Sequence, residues 1–340
     1  MRINIIGGFA PVIRPSKLCL NALMICSLVV ALAACGSAGD KSGDASSSPS
    51  PSAGQSAAGQ PSAAPRSLKD ALGQVSVPAA PQRIVAPYVE DALVTLGVKP
   101  TMQWSLGPLV QDYLQPYLPD VPKLDFANGV NMEALLNANP DLIVLYTKQL
   151  AADGAIDGFK KIAPTYTFDD ATVDWKGTLR VLGDILNKKD AAEKAIQDYD
   201  RKVSEAKQRL EPVVKGRTFA VIRIKPKEVL LMDGTYYSGP VLYGDLGLQP
   251  HKMVRELSWE LNKPISQEVL PQLDADYIFY MVQGEAVRPK ANEWLADPIW
   301  KSVPAVKQGH VYEVDANYWM ASGALANGKK IDDVLKHLVK

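Results

Sequence analysis

Two stretches of this chain repeat one another 135 residues apart. NMEALLNANPDLIV at 131–144 and SQEVLPQLDADYIF at 266–279 align without a gap, matching Glu133 with Glu268, Leu135 with Leu270, Asp141 with Asp276 and Ile143 with Ile278. In each copy a short helix-forming segment runs into a buried apolar strand. A chain that repeats this unit once, at this separation, is constrained to two similar lobes.

The pattern around each copy agrees with that constraint. Residues 83–87 (RIVAP) predict a buried strand, 88–97 (YVEDALVTLG) a short helix ended by glycine, and 101–104 (TMQW), 141–146 (DLIVLY) and 163–168 (APTYTF) further strands. Strands alternating with helices at this spacing predict a mainly parallel sheet with helices on both faces. From Trp175 to Leu210 the apolar spacing turns helical, as one long helix or two consecutive ones, with a break expected at 187–190 and an end near Glu211 and Pro212. A second alternating series follows at 217–224, 228–232, 277–281 and 310–314, and an amphipathic helix over 323–339 closes the chain. The order is lobe, long helix, lobe.

Asn131 and Ser266 are good helix N-caps, which places Glu133 and Glu268 in equivalent first turns. A carboxylate there gains about 0.3 to 1 kcal/mol from the helix dipole, and that alone accounts for either glutamate taken singly. As a matched pair they predict two carboxylates on one side of the molecule, suited to a symmetric two-subunit partner with a basic group on each half.

Ahead of the lobes, Arg2, Arg14 and Lys17 precede an apolar run from Leu18 to Ala34 that closes as LAAC at 32–35. A basic flank, an apolar run and a small-residue cleavage site predict a secretory signal over 1–34. LAAC resembles a lipobox, in which the cysteine, here Cys35, becomes residue one of the mature chain and is diacylated on sulfur. The competing reading is a plain membrane helix, since such a run just spans a bilayer. Two or three acyl chains hold a protein on a membrane where one does not. Residues 36–65 contain no aromatic and no large aliphatic side chain, so 35–66 is expected to be a lipidated, disordered tether with a reach of roughly 30 Å.

All three cysteines, Cys19, Cys26 and Cys35, lie at or before the expected cut, which excludes a disulfide framework, thiolate metal sites and cysteine catalysis. The 37 basic and 37 acidic side chains become 34 and 37 without residues 1–34. A near-neutral, mixed surface argues against nucleic acid as a partner.

The chain resembles the substrate-binding lipoproteins of ABC importers for ferric siderophores, haem and cobalamin. The resemblance is carried by DALGQVSVPAAPQRIV (70–85), LGVKP (96–100), the first repeat copy, FKKIAPTY (159–166), LYGDLGLQP (242–250), the second copy and WKSVPAVKQGHVYEVD (300–315), in the family's order. It implies an α/β fold: two three-layer α/β/α lobes joined by a long rigid α-helix, with the ligand cleft between them. The lobes are expected at 67–170 and 213–340 and the linking helix at 171–212. The last of these motifs points, within the family, to its iron-siderophore members. The resemblance further implies a monomer tethered to the outer face of the cell membrane, with Glu133 and Glu268 engaging arginines of an ABC permease that is a heterodimer or a homodimer.

Ligand-contacting groups in such folds sit in loops beyond strand ends. Those positions pick Tyr88, Trp104, Tyr146 and Lys148 in the first lobe, and Arg223, Tyr236, Trp259, Arg288 and Trp319 in the second. Arg and Lys suit an anionic chelate, whose carboxylate or catecholate oxygens a guanidinium can hydrogen-bond in pairs, and Tyr and Trp suit an apolar chelator backbone. Each has a plainer alternative as a packed aromatic or a solvated base.

The three histidines, His251, His310 and His337, are scattered, which suits a pre-chelated Fe(III)-siderophore better than a bare ion needing several protein ligands, and no cofactor is expected. A haem or corrinoid receptor is the alternative within this class, since Tyr88, Tyr146 and Tyr236 are potential axial groups. An enzyme is the alternative from another class. Against it, the chain has no glycine-rich dinucleotide or phosphate loop, no G-x-S-x-G and no H-E-x-x-H.

Overall fold

The computed structural model describes residues 64–257, 262–266 and 268–339, so Cys35 with its signal and tether, and Trp259, lie outside the described residues. The first lobe comprises β1 (Arg66–Asp70), β2 (Gly73–Val77), β3 (Ile84–Val85), α1 (Glu90–Thr95), β4 (Gln103–Ser105), β5 (Lys123–Asp125), α2 (Met132–Asn137), β6 (Leu142–Leu145), α3 (Ala155–Ile162) and β7 (Thr165–Thr167). β3, β6 and β7 pair in parallel in the order β3-β6-β7. β4 and β5 form a parallel pair, which a single Val85 to Met102 bridge joins to β3. β6 is LIVL with all four side chains buried, as befits a strand covered on both faces.

The β1-β2 hairpin has no counterpart in the sequence reading. Its residues alternate between half-buried and exposed without a continuous apolar run. It docks on the edge of β7, where Ala71 N–H donates to the Thr167 carbonyl and Thr167 N–H to the Asp70 carboxylate.

The linking segment resolves into two consecutive helices, α4 (Trp175–Ile185) and α5 (Lys189–Val214). Asn187 takes φ +56°, Lys188 N–H reaches back to the Gly183 carbonyl and Asn187 N–H to that of Asp184, a Schellman closure of α4. Gly183 permits the tight turn between the helices, because a Cβ there would sit 2.8 Å from that of Ala192. α5 runs two residues beyond Pro212, although an end near Pro212 is expected. The proline removes only the donor to the carbonyl of Gln208, an exposed residue in the last turns.

The second lobe contains β8 (Thr218–Ile224), β9 (Val229–Met232), β10 (Gln249–Pro250), α6 (Lys252–Arg255), β11 (Asn262–Pro264), β12 (Tyr277–Val282), α7 (Arg288–Ala296), α8 (Pro298–Ser302), α9 (Pro304–Lys307), β13 (Val311–Glu313), α10 (Ala316–Trp319) and α11 (Ala324–Leu338). Its sheet runs β11-β9-β8-β12-β13, with β10 also on β8; β8, β12 and β13 are parallel. Two apolar clusters lie in each lobe, one on either side of its sheet.

The repeat acquires a structural meaning here. Asp141 accepts the backbone N–H groups of Gln82 and Arg83 at 2.9–3.1 Å, fixing the entry to β3. Asp276 does the same for β8, accepting Thr218 N–H at 2.8 Å and the Arg217 guanidinium at 2.8 Å. Leu135 and Leu270 are both buried beneath these segments. One difference separates the copies. Asn131 caps α2 through a 3.0 Å bond from Ala134 N–H, whereas the expected helix after Ser266 is a turn followed by a short 3-10 segment, Leu270–Gln272. Pro271 sits where an α-helix would need its N–H.

A fifth apolar cluster joins the lobes, with Tyr113, Leu114, Leu118 and Val121 packed on Ala321 and Ala326. At its centre the Asp91 carboxylate of α1 accepts Leu325 N–H at 3.1 Å, Ala326 N–H at 2.9 Å and Tyr113 O–H at 3.1 Å. Asp91 thus caps α11 from the opposite lobe. The fully buried Lys330 ammonium, one turn along α11, donates to the carbonyls of Tyr237 and Ala321 and to Asn327 Oδ1 at 2.7–3.0 Å.

Asp91→Ala leaves two helix N–H groups and a tyrosine hydroxyl buried without an acceptor. It is expected to destabilise the protein by about 3 kcal/mol, lowering the thermal midpoint by roughly 6–12 °C in a calorimetric scan. A midpoint within about 1 °C of the parent would show that the inter-lobe cap contributes nothing.

Candidate functional site

A groove of about 800 Å³ lies between the lobes, within the range of small-molecule sites. A second void beside it, near Trp175, holds only about 10 Å³, no more than one water. The groove is walled largely by segments at the carboxyl ends of parallel strands: Tyr88 after β3, Trp104 within the three-residue β4, Gln283 to Glu285 after β12, and Glu313 at the end of β13 with 314–317 after it. Loops at that edge carry no ladder obligations, so their side chains are free to face a ligand.

Tyr88 is the hub of the first-lobe wall. Its ring meets Trp104 edge-on at 5.3 Å and Tyr146 at 5.1 Å, and its hydroxyl donates across the groove floor to the Met320 carbonyl at 3.3 Å. Its backbone is left-handed at φ +68°, and the only other aromatic residue so placed among the described residues is Tyr237 at +55°. Bulky side chains adopt this conformation at a cost of about 1–3 kcal/mol, and such strain concentrates at ligand clamps. Arg223, from β8 and electrostatically close to both tyrosines, donates to Gln283 Oε1 through Nε at 3.1 Å and also through Nη2. Burial holds the Arg223 guanidinium below its usual range, with Tyr237 and Tyr88 close enough to oppose that. Burial likewise pushes the phenols of Tyr88, Tyr237 and Tyr146 up, so all three stay protonated donors.

The sequence-derived residues are distributed as follows. Tyr88, Trp104 and Arg288 line the groove, Tyr146 packs behind Tyr88, and Arg223 reaches it through Gln283. Lys148 is exposed and paired with Asp169 at 2.8 Å, outside the groove lining. Tyr236 is half-buried, and its neighbour Tyr237, 6.5 Å away centroid to centroid, is the tyrosine that faces Arg223. Trp319 does not reach the groove. It is fully buried, 5.0 Å from Phe279, with its indole N–H on Asp333 at 2.8 Å, because the four-residue α10 turns Trp319 inward and leaves Asn317 and Met320 on the groove side. Trp259 has no described position. Glu133 and Glu268 are both exposed, each nine residues ahead of the first residue of its strand. Tyr237, Gln283 and the buried Glu90 are absent from the sequence-derived set. Glu90 sits under the groove, accepting Trp104 N–H at 2.6 Å through Oε1, while Oε2 is buried with no hydrogen-bond partner. Burial pushes its carboxyl up to about 7, against the Trp104 N–H bond that favours ionisation.

Comparison with known proteins adds three findings. Residues 92–318 match the model of a family described as periplasmic binding protein. The chain is 29% identical over 295 residues to a probable siderophore-binding lipoprotein of Bacillus subtilis, YfiY, covering 82% of this chain and 89% of that one, and 30% identical over 288 residues to the iron(3+)-hydroxamate-binding protein YxeB of the same organism, covering 81% and 85%. Its fold is similar to that of Staphylococcus aureus SirA complexed with staphyloferrin B, with a TM-score of 0.70 and 27% identity over 80% of this chain and 98% of that one.

Glu90 sets a pH dependence. In the unfolded chain its carboxyl ionises near the ordinary 4.5, in the folded protein near 7, so folding stability is full below 4.5 and falls as pH rises towards 7. Glu90→Gln, which keeps the acceptor for Trp104, is expected to stabilise the protein by up to about 3 kcal/mol at about pH 8 and to change little at about pH 4, read by urea denaturation at both. Equal effects at the two pH values would exclude an elevated Glu90.

Proposed function

Because the chain belongs to the periplasmic binding protein family, we propose that it is the extracytoplasmic receptor of an ABC importer, taking up iron as a ferric siderophore held in the inter-lobe groove. It is a binding protein and not an enzyme. The observation that carries this reading is the groove itself, with an aromatic wall from one lobe and a guanidinium from the other, in a chain whose similarity to siderophore-binding relatives covers four-fifths of its length. The iron is cargo, wrapped before it arrives, and the receptor supplies hydrogen bonds and apolar surface to the wrapping. A haem or corrinoid ligand is not favoured, since the names of these relatives point to iron chelates.

The LAAC sequence supports acylation at Cys35 and attachment to the outer face of the membrane, with 36–65 as the tether. Glu133 and Glu268, exposed at matched places in the repeat, are proposed to dock on basic groups of a two-subunit permease, heterodimeric or homodimeric. The ligand-contacting set is proposed to be Tyr88, Trp104, Arg223 and Tyr237, with Tyr146 in support. A monomer suits this arrangement, one receptor bridging both permease halves.

Two measurements test the reading. Adding a ferric siderophore to the purified domain is expected to quench its tryptophan fluorescence saturably, with the chelate recovered unchanged; no quenching with any ferric siderophore, haem or cobalamin would remove the groove from the proposal. Replacing both Glu133 and Glu268 by Ala is expected to leave that affinity within about two-fold while lowering siderophore-dependent iron uptake at least ten-fold, because exposed ion pairs set orientation and association rate rather than affinity for a third component. Unimpaired uptake by the double variant would refute the docking role.

A further inference from the structure

We infer that the groove selects ferric chelates without net negative charge, neutral or monocationic trihydroxamates, over anionic catecholate and carboxylate chelates. This rests on the receptor reading above and concerns which chelate that receptor takes.

The inference follows from charge. Among the described residues that line the groove, Asp112, Glu285, Glu313 and Asp315 are acidic and only Arg288 is basic. Arg288 is not free to meet an anion. Its guanidinium lies 2.5 Å from Glu313 Oε1 and 3.8 Å from Glu285, and the other Glu313 oxygen accepts Tyr280 O–H at 3.0 Å. Of the remaining candidate cations, Lys148 is held by Asp169 and does not line the groove, which leaves Arg223, bound to a neutral amide. The walls therefore carry more acid than base even with Arg223 counted. Gln111, also on the wall, has a buried carboxamide oxygen with no donor among the described residues, which adds an acceptor that a ligand N–H would satisfy.

The chemistry of the chelates sorts against this wall. Three hydroxamates each contribute one negative charge and cancel Fe³⁺, so the core is neutral and a pendant ammonium makes the whole cationic. Three catecholates leave three uncompensated negative charges, and ferric citrate is also anionic. A single guanidinium fork serves the oxygens of a neutral core, whereas a trianion needs several cations when water is excluded. Leu109, exposed on the rim, and Met320 offer apolar surface to the methylene spacers of a linear hydroxamate.

The test measures binding of the purified domain to four probes: a linear ferric trihydroxamate with a free ammonium, a neutral cyclic one, ferric citrate and a ferric tris-catecholate. Both hydroxamates are expected to bind at least ten-fold more tightly than either anion. The affinity for the cationic probe is expected to fall as salt is raised from about 20 to about 300 mM, since screening weakens attraction to the acidic wall. In Glu285→Gln/Glu313→Gln, which releases Arg288, the ratio of cationic to tris-catecholate affinity is expected to drop at least ten-fold. Tighter binding of the tris-catecholate or of ferric citrate by the parent protein would overturn the inference and leave the receptor reading standing. An unchanged ratio in the double variant would likewise overturn it. Failure of all four probes to bind would remove the receptor reading and this inference together.

Discussion

Asp91 starts in one lobe and ends as the cap of a helix in the other, and the groove owes its geometry to that contact. Burial pushes this carboxyl up, while the Ala326 and Leu325 N–H groups, the Tyr113 hydroxyl and the Lys330 ammonium all favour its charge. Lys330 is in the converse position, with its ammonium pushed down to about 7 by burial and pulled back by Asp91 and Asp245. A buried carboxylate is tolerated only where its lone pairs are filled, and here the Tyr113 hydroxyl of the same lobe supplies one donor while the two backbone donors exist only when α11 abuts α1. Gly323 is a consequence, since a Cβ at that position would lie 2.2 Å from Asp91 Cγ and the backbone there is at φ +151°. Sequence, packing and inter-lobe angle are thus tied at one point.

That tie makes the groove largely preformed. Around Asp91 the lobes also meet through Ser322 O–H on the Thr172 carbonyl at 2.8 Å, through Tyr88 on Met320 and through the Tyr113 cluster, while α5 spans them with 26 residues. A preorganised site spends little of its binding energy on ordering itself. The two left-handed tyrosines fit this picture. Their strain is sustained by the surrounding packing, with the Tyr88 hydroxyl bonded to the Met320 carbonyl and Tyr237 near Arg223.

How much of this the sequence reveals depends on which physical signal each feature leaves. Strands such as β6 and β12 and the helices α4, α5 and α11 leave long apolar periodicities, and they lie close to where those periodicities put them. The β1-β2 hairpin leaves only a weak alternation of half-buried residues. Tyr236 and Tyr237 are adjacent and chemically identical, and only the αL backbone that follows the Asp233 turn decides which of them faces Arg223. Trp319 shows the same limit. A loop position beyond a strand suggested the groove, but one turn of α10 rotates the indole onto Phe279 and Asp333 instead. Glu90 and Asp91 read as ordinary first-turn acids of α1; the partner of Glu90 comes from the neighbouring β4 and those of Asp91 from α11, at the far end of the chain.

The repeat itself separates what folding requires from what it does not. Its aspartates, Asp141 and Asp276, are explained by the fold, each clamping N–H groups at the start of the neighbouring strand, and its matched leucines and isoleucines, Leu135 with Leu270 and Ile143 with Ile278, are core. Its glutamates are not explained that way. The helix dipole accounts for Glu133 at the start of α2 but not for Glu268, which precedes only a three-residue 3-10 segment interrupted by proline. Both are exposed and neither makes a hydrogen bond or ion pair among the described residues. Matched exposure in both lobes, with no local bond to account for it, is what the proposed docking role rests on.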